Sequence, residues 1–302
     1  MKPKLPHQAI ASAVERDLGP ISTWTSVSEG EEAQVFGIRL ADEDFILRVN
    51  HFAHGFHKEA FCYRHFASAN LPIPQILSIG TVDDHTYCVS RRAAGKTLQD
   101  LSPAELPAVV AWVDQVMRAI AQAPLHGTED FGRFDPNGIG EHKSWRGFLG
   151  ALTDQRRFDW IGHEPAVDDS WIERHLSLLS ALIPMCPETR SLVHGDFGSN
   201  NVLTDGLAIT GVIDWSEALF GDPLYDVANI FFWRPWLACM DAQARYFEEH
   251  RFDLMNNAQA LRCYQLRIGL QQVFECAAAG DTADLRWAMA RCEDIAILPS
   301  GS

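Results

Sequence analysis

The sequence lacks several features that define whole classes of protein. Its seven cysteines are odd in number and contain no C-x-x-C pair, so we expect buried free thiols in a reducing cytoplasm. No apolar run approaches the ~20 residues that a membrane-spanning helix needs. Residues 1–18 have no basic stretch followed by an apolar one, which argues against a secretory signal. We therefore predict a cytoplasmic protein without membrane association.

Positive charge is scarce. The 302 residues include 25 Lys and Arg against 40 Asp and Glu, which gives a formal net charge of -15. Proteins that bind nucleic acid usually have the opposite balance, so no nucleic-acid partner is expected. A strongly acidic surface instead attracts cationic small molecules. The 47% of hydrophobic residues is ordinary for a globular protein, and the length suits one large domain or two modest ones.

The distribution of local patterns divides the chain. Alternating apolar residues over 33–40 and 45–49 predict a β-hairpin, and helical spacing over 55–69 predicts a helix. Helical patterns dominate further along the chain. We therefore predict an α+β protein with a small β-rich N-terminal lobe, residues 1–92, and a larger, mainly helical lobe, residues 93–302. The crevice between two such lobes is the expected ligand site.

The densest group of polar residues runs from His194 to Asn201 and fits the pattern H-x-D-x-x-x-x-N, with Asp214 thirteen residues further on. Phosphoryl transfer needs a base for the acceptor hydroxyl, and Asp196 suits that role. Mg²⁺ prefers hard oxygen ligands, which Asn201 and Asp214 would supply. His194 would brace the loop by hydrogen bonds. The alternative interpretation is a polar turn between two strands, because these residue types also favour turns.

This motif, together with the following Ile-Asp-Trp and the stretch 221–226, resembles the aminoglycoside phosphotransferase family, relatives of the protein kinases. Further stretches, including 228–240, resemble the members that modify hygromycin B. The resemblance covers roughly residues 28–292. It implies a bilobal protein-kinase-like fold with ATP and Mg²⁺ in the crevice. It also implies phosphorylation of a hydroxyl of an aminocyclitol antibiotic, with hygromycin B as the expected small-molecule substrate and antibiotic resistance as the outcome.

The kinase pattern also suggests nucleotide-binding residues. Its third strand carries a lysine that binds phosphates and pairs with a helix glutamate. Arg48 stands at this place, Glu59 is its expected partner, and arginine can hold phosphate bidentately. The turn at 28–33 would cover the phosphates, and the segment with Ser90 and Arg92 would bind adenine. The alternatives are a surface arginine on an edge strand and a plain hairpin turn.

Acceptor-binding residues are suggested by Asn200 in the loop and by two tryptophans. Trp233 and Trp236 flank the helix-breaking pair Arg234-Pro235, so we expect them at the crevice, where indole faces attract sugars and cations. Burial in the core is the alternative for both. Asp226 is expected to brace the catalytic loop rather than to contact substrate.

Two other functions stay open. The first is a kinase of the same fold that acts on a macrolide, an amino alcohol or a sugar. The second is an inactive nucleotide-binding scaffold, which the arginine at position 48 and the glycine-poor turn at 28–33 would support. A monomer or weak dimer is expected in each case.

Overall fold

The computed structural model describes residues 2–27, 33–154, 158–160, 167–251 and 253–297. Its N-terminal part contains a five-stranded antiparallel sheet of order β1-β2-β3-β5-β4. The strands of this sheet are β1 (Ile21–Ser26), β2 (Gln34–Leu40), β3 (Glu43–Asn50), β4 (Ile76–Val82) and β5 (His85–Arg91). β2 and β3 form the predicted hairpin. Ala41 and Asp42 have positive φ angles of 44° and 67° there, as a two-residue type I′ turn requires.

The two faces of this sheet are covered by different helices. Phe45, Leu47 and Val49 are buried on one face, because residues two apart in a strand point the same way. Helix α1 (His7–Leu18) covers that face. The sequence patterns do not predict α1, which begins without a side-chain cap. Arg48 points to the opposite face, where α2 (His54–Phe66) packs. The bounds of α2 are close to the predicted range 55–69.

The rest of the described chain is mainly helical. Its helices are α3 (Leu106–Ala121), α4 (Trp145–Gly150), α5 (Asp169–Leu182), α6 (Leu224–Trp233), α7 (Ala238–His250), α8 (Asp253–Asn256), α9 (Ala258–Ala279) and α10 (Thr282–Ala296). α9 is buried on most of its circumference because α5, α6 and α10 all pack against it. A helix surrounded in this way has no single apolar stripe.

Two small sheets position the polar loop. Their strands are β6 (Lys96–Thr97), β7 (Phe131–Phe134), β8 (Gly140–His142), β9 (Ser191–Val193), β10 (Val202–Thr204), β11 (Ile209–Val212) and β12 (Leu219–Gly221). One sheet has the order β11-β10-β6 and the other β8-β7-β12-β9. The loop between β9 and β10 therefore joins the two sheets, and the segment after β11 runs back beside it.

Buried apolar residues form two cores. One lies between α1 and the five-stranded sheet, and the other fills the helical part. Phe61, Cys62 and Phe66 of α2 belong to the second core, so this helix joins the sheet to the helical part. The boundary at residue 92 stays a prediction. All seven cysteines are buried and unpaired, as predicted. No helix in the described ranges is long and apolar enough to cross a membrane.

Candidate active site

The loop after β9 is held by a buried carboxylate. Asp226, in the first turn of α6, accepts hydrogen bonds from the backbone N–H groups of His194 and Gly195, both at 2.8 Å. Burial raises the pKa of Asp226 to about 6. A carboxylate that accepts two backbone N–H groups stabilises one conformation of the loop. This geometry agrees with the bracing role expected for Asp226.

The ring of His194 is a second brace. It is fully buried, and burial lowers its pKa, so the ring is neutral at physiological pH. Its Nε2 lies 2.9 Å from the carbonyl of Ile213, and its Nδ1 lies 3.3 Å from the backbone N–H of Asp196. Because a carbonyl only accepts and an N–H only donates, the partners assign the proton to Nε2. His194 thus links the loop to the end of β11, and none of its contacts with the described residues requires it to transfer a proton.

Two glycines allow the loop to pass close to its neighbours. Gly195 has φ +86°, and a Cβ there would lie 2.3 Å from the carbonyl oxygen of Glu217. Gly198 has φ +116°, and a Cβ there would lie 2.6 Å from Sδ of Met240 on α7. Neither the backbone conformation nor the space admits a side chain easily. The loop is therefore packed between the segment after β11 and the start of α7.

Asp196 and Asn201 lie side by side. Nδ2 of Asn201 donates to the backbone carbonyl of Asp196 at 2.9 Å and to its Oδ2 at 2.8 Å. The Asp196 side chain is open to solvent, but protein atoms surround it on its other sides. This partial burial, followed by the charge of Asp214, raises the pKa of Asp196 to about 6. A carboxylate with this pKa is ionised at neutral pH and is a stronger base than an ordinary aspartate.

Asp214 follows β11 in a left-handed conformation, with φ 57°. Its Oδ1 accepts a 2.7 Å hydrogen bond from Oγ of Ser216. The backbone N–H of Ile213 donates to the carbonyl of Asn201 at 2.9 Å, so the ends of β10 and β11 are tied together. The predicted metal ligands Asn201 and Asp214 are thereby brought to one place. The charge of Asp214 also acts on Asp196 and on Arg48.

The donor set at this place fits Mg²⁺. The amide nitrogen of Asn201 donates its hydrogen bonds to Asp196. The amide oxygen of Asn201 is therefore the atom that can bind a metal ion. The second donor is the Asp214 carboxylate. Among the described residues there is no group of three or more His, Cys, Asp or Glu side chains that could hold a metal. Two hard oxygen donors with an otherwise incomplete shell are typical of Mg²⁺ bound together with nucleotide phosphates.

Arg48 and Glu59 form a bidentate ion pair between β3 and α2. Nη1 of Arg48 lies 2.8 Å from Oε1 of Glu59, and Nη2 contacts Oε2. Burial opposes the charge of Arg48, but the adjoining carboxylate outweighs it and raises the pKa of Arg48. Burial raises the pKa of Glu59. Because the guanidinium that it contacts is permanently charged, Glu59 nevertheless stays ionised. The pair matches the predicted partners and holds Arg48 away from the surface.

The segment predicted to bind adenine lies partly in β5 and partly beyond its end. Ser90 is buried and lies inside the sheet, paired with Ile46 on β3 and Ile76 on β4. Its backbone is therefore committed to the strands. Arg92 lies just beyond the last pair of β5, and its N–H donates to the carbonyl of Asp44 at 3.2 Å. Backbone contacts of this segment to adenine stay a prediction. Of the turn at 28–33, residues 28–32 lie outside the described residues.

The two predicted tryptophans join a third. Trp233 stacks on Trp287 of α10 with ring centroids 5.1 Å apart, and Trp236 meets the same ring edge-to-face at 4.6 Å. Trp233 is half-buried, whereas Trp236 is 46% exposed. We call these three residues the tryptophan cluster. Trp236 lies in the turn between α6 and α7, four residues before Met240, which lies against Gly198 of the catalytic loop. Asn200, also predicted to bind substrate, is exposed on that loop.

Two residues beside the site, Lys58 and Arg133, were not predicted from the sequence. Lys58 is buried on α2 and bonds to backbone carbonyls after Asp214. Glu217 lies in the same segment, pairs with Arg133 on β7, and contributes to the raised pKa of Asp196. The signal for Lys58 was weak: it is one lysine in a helix whose positions 56 and 58–62 are all buried.

Comparison with known proteins agrees with this geometry. A model of the phosphotransferase enzyme family (APH) matches residues 23–261. Hygromycin-B 4-O-kinase of Escherichia coli is 47% identical over 305 residues, which cover 100% of this chain and 88% of that protein. The crystal structure of a thermostable mutant of aminoglycoside phosphotransferase APH(4)-Ia, in ternary complex with ADP and hygromycin B, has a TM-score of 0.92 at 47% identity. It covers 97% of this chain and 100% of that one.

A more distant structure shares the fold alone. The GDP complex of aminoglycoside 2′-phosphotransferase-IIIa has a TM-score of 0.68 at 17% identity, covering 96% of this chain and 98% of that one. The matches confirm the predicted α+β kinase-like fold and the predicted resemblance, while the roles of individual residues stay predictions. The family model matches most of the chain, and hygromycin-B 4-O-kinase is 47% identical to it over its full length. The chain therefore belongs to the phosphotransferase enzyme family (APH).

Proposed function

We propose that this protein is an ATP-dependent phosphotransferase that phosphorylates hygromycin B, at its 4-hydroxyl, and so confers resistance to that antibiotic. The observation that carries the proposal is the 47% identity to hygromycin-B 4-O-kinase over the whole chain. The juxtaposition of Asp196, Asn201 and Asp214 supports the chemistry. Hydrolase or binding-only functions would not require this set together with the Arg48–Glu59 pair.

In the proposed reaction the acceptor hydroxyl oxygen attacks the γ-phosphorus of ATP. The bond from that phosphorus to the bridging oxygen breaks, ADP leaves, and the hydroxyl proton passes to Asp196. The raised pKa of Asp196, about 6, suits proton transfer near neutral pH. Asn201 holds the carboxylate in place through its amide. His194 and Asp226 keep the loop rigid, so the base does not have to be reorganised during the reaction.

The nucleotide side relies on Arg48, Asn201 and Asp214. When Mg²⁺ is bound with the nucleotide, it neutralises negative charge on the phosphates. Asn201 and Asp214 would hold it through oxygen atoms. Arg48, oriented by Glu59 and acted on by the charge of Asp214, would bind phosphate oxygens.

The acceptor side combines negative charge with aromatic surface. Hygromycin B is cationic at neutral pH. Its ammonium groups lose hydrating water on binding, and pairing with carboxylates can offset the free-energy cost of that loss. Glu217 is exposed beside Asp196 and carries such a charge. Trp236, in the turn before α7, offers an exposed indole on which a sugar ring can stack. Trp233 contributes mainly by holding the tryptophan cluster together.

A panel of acceptors tests the proposal. Purified protein is incubated with Mg²⁺-ATP and, in parallel, hygromycin B, kanamycin, streptomycin, a macrolide and no acceptor. We expect ADP formation to be fastest with hygromycin B, and NMR of the product to place the phosphate on the 4-hydroxyl. Turnover of the macrolide without turnover of hygromycin B would refute the substrate. An absence of ADP formation with every acceptor, despite nucleotide binding, would support the inactive scaffold instead.

A further inference from the structure

Lys58 is an unusual residue to find in the interior of this protein. Its side chain is only 2% exposed, and its Nζ donates to the backbone carbonyls of Ser216 and Ala218, both at 2.7 Å. Its remaining surroundings include the ring of Phe134, whose centroid lies 4.6 Å from Nζ. Within the described part of the chain, Nζ of Lys58 thus donates its hydrogen bonds to carbonyl groups and not to carboxylates. Burying a cation in this way is costly unless its hydrogen bonds are all satisfied.

Both carbonyl partners lie in the segment that follows Asp214. Asp214 has a φ of 57°, a left-handed conformation that a residue with a side chain adopts only at some cost in free energy. Such a conformation persists when surrounding contacts determine it. Ser216 supplies one contact through its hydroxyl to Oδ1 of Asp214. Lys58 supplies two more by fixing the backbone on either side of Glu217.

Lys58 also stands next to Glu59 on α2. Adjacent residues of a helix point about 100° apart, so Glu59 reaches Arg48 on β3 while Lys58 reaches the segment after Asp214. The helix approaches that segment closely, since a Cβ at Gly55 would lie 3.7 Å from Cβ of Ser216. One turn of α2 thus ties the predicted phosphate-binding arginine to the predicted metal-binding aspartate.

We infer that Lys58 is a positioning residue that sets the place of Asp214 relative to Arg48, so that both meet the phosphates of one Mg²⁺-nucleotide complex. The inference rests on the proposed function only for the nucleotide; it does not depend on the identity of the acceptor. Lys58 acts through the backbone of residues 216–218 and does not itself contact substrate.

The test replaces Lys58 by Met, which keeps the apolar stem and removes all three donors. Outer contacts of a metal site typically change affinity or activity by about 10–100-fold. We therefore expect the Kd for Mg²⁺-AMP-PNP, measured by calorimetry, to rise at least tenfold in Lys58→Met, and kcat to fall. The KM for hygromycin B should change less than threefold. Lys58→Arg, which keeps the charge and the donors, should restore part of the nucleotide affinity.

A matched control is Lys143→Met. Lys143 is 89% exposed and pairs with Asp130 at 2.7 Å, so the same chemical change there should leave the nucleotide affinity and kcat within twofold of wild type. A Kd and kcat within threefold of wild type in Lys58→Met would overturn the inference. So would an equal loss of affinity for nucleotide and antibiotic, since that result would indicate a general structural role.

Ser216→Ala gives a second route if Lys58→Met does not fold. It leaves Lys58 in place and removes only the hydroxyl that bonds to Asp214. We expect weaker Mg²⁺-nucleotide binding in Ser216→Ala alone. Where Lys58→Met does fold, the double variant should lose less affinity than the product of the two single losses, because both act on Asp214. Unchanged binding in Ser216→Ala would refute transmission through this segment. Acceptor turnover by the wild-type protein is scored separately, so failure of hygromycin B as substrate leaves this test intact.

Discussion

Replacing Asp196 by Asn should abolish most activity and at the same time stabilise the free protein. Asn has nearly the same shape, and its Oδ1 can still accept the hydrogen bond from Nδ2 of Asn201. It cannot take the acceptor proton at neutral pH. We expect kcat to fall by about 10²–10⁴, the usual contribution of a general base, while the affinity for nucleotide stays close to that of wild type.

The stability change follows from the direction of the pKa shift. Partial burial and Asp214 raise the pKa of Asp196 from 3.8 to about 6, so folding favours the protonated carboxyl. The corresponding stabilisation is complete below about pH 4 and is lost as the pH rises through about 6. A fully buried group would lose ~3 kcal/mol in this way. Because the side chain is open to the cleft, water screens it, and we expect ~1 kcal/mol.

Asp196→Asn cannot ionise, so it should keep the stability that wild type loses. For a chain of this size the gain corresponds to a Tm about 2 °C higher at pH 7.5, and to a smaller difference at pH 5. Thermal unfolding is measured with EDTA and without nucleotide, so that no cation offsets the charge of Asp214. Asp205→Asn is the matched control, because Oδ1 of Asp205 accepts two backbone N–H groups in an exposed turn and its amide can do the same.

Two results would refute this reasoning. A variant that keeps more than a third of wild-type turnover would show that Asp196 is not the base. A Tm at pH 7.5 below that of wild type would show that the carboxylate is stabilised, not destabilised, in the folded protein. The combination of higher Tm and lost turnover is expected for Asp196→Asn alone and not for Asp205→Asn.

Four further outcomes are expected. Asp214→Ala should remove Mg²⁺-dependent ATP binding while the fold survives; calorimetry showing unchanged Mg²⁺-ATP affinity would contradict its role as a ligand. Arg48→Ala should raise the KM for ATP and lower kcat, and Arg48→Lys should recover part of both; kinetics equal to wild type in Arg48→Ala would favour a purely structural ion pair with Glu59. Added salt should raise the KM for hygromycin B more than it changes kcat. Salt shortens the screening length, to ~8 Å at physiological ionic strength, and so weakens the attraction between exposed charges. Trp236→Ala should raise that KM more than the KM for ATP, and equal effects on both would argue against an acceptor contact.

Much of the catalytic loop could be predicted from the sequence because its chemistry is local. His194, Asp196 and Asn201 lie within eight consecutive residues, and their mutual contacts span at most five positions. The pairing of Arg48 with Glu59 spans eleven positions along one strand and the next helix. Alternation and helical spacing are enough to place such residues, since each depends on neighbours in the chain.

Long-range packing decided the rest. Lys58 and Ser216 are 158 positions apart, and no pattern along the chain relates them. Trp287 joins Trp233 and Trp236 because α10 packs against α6, and this contact leaves one indole exposed and one half-buried. The raised pKa of Asp196 likewise depends on atoms that folding brings around it. Residue types and their spacing along the chain therefore specified the chemistry, whereas burial and the approach of distant segments, which only the folded chain creates, set the positions and charges of the groups that would carry it out.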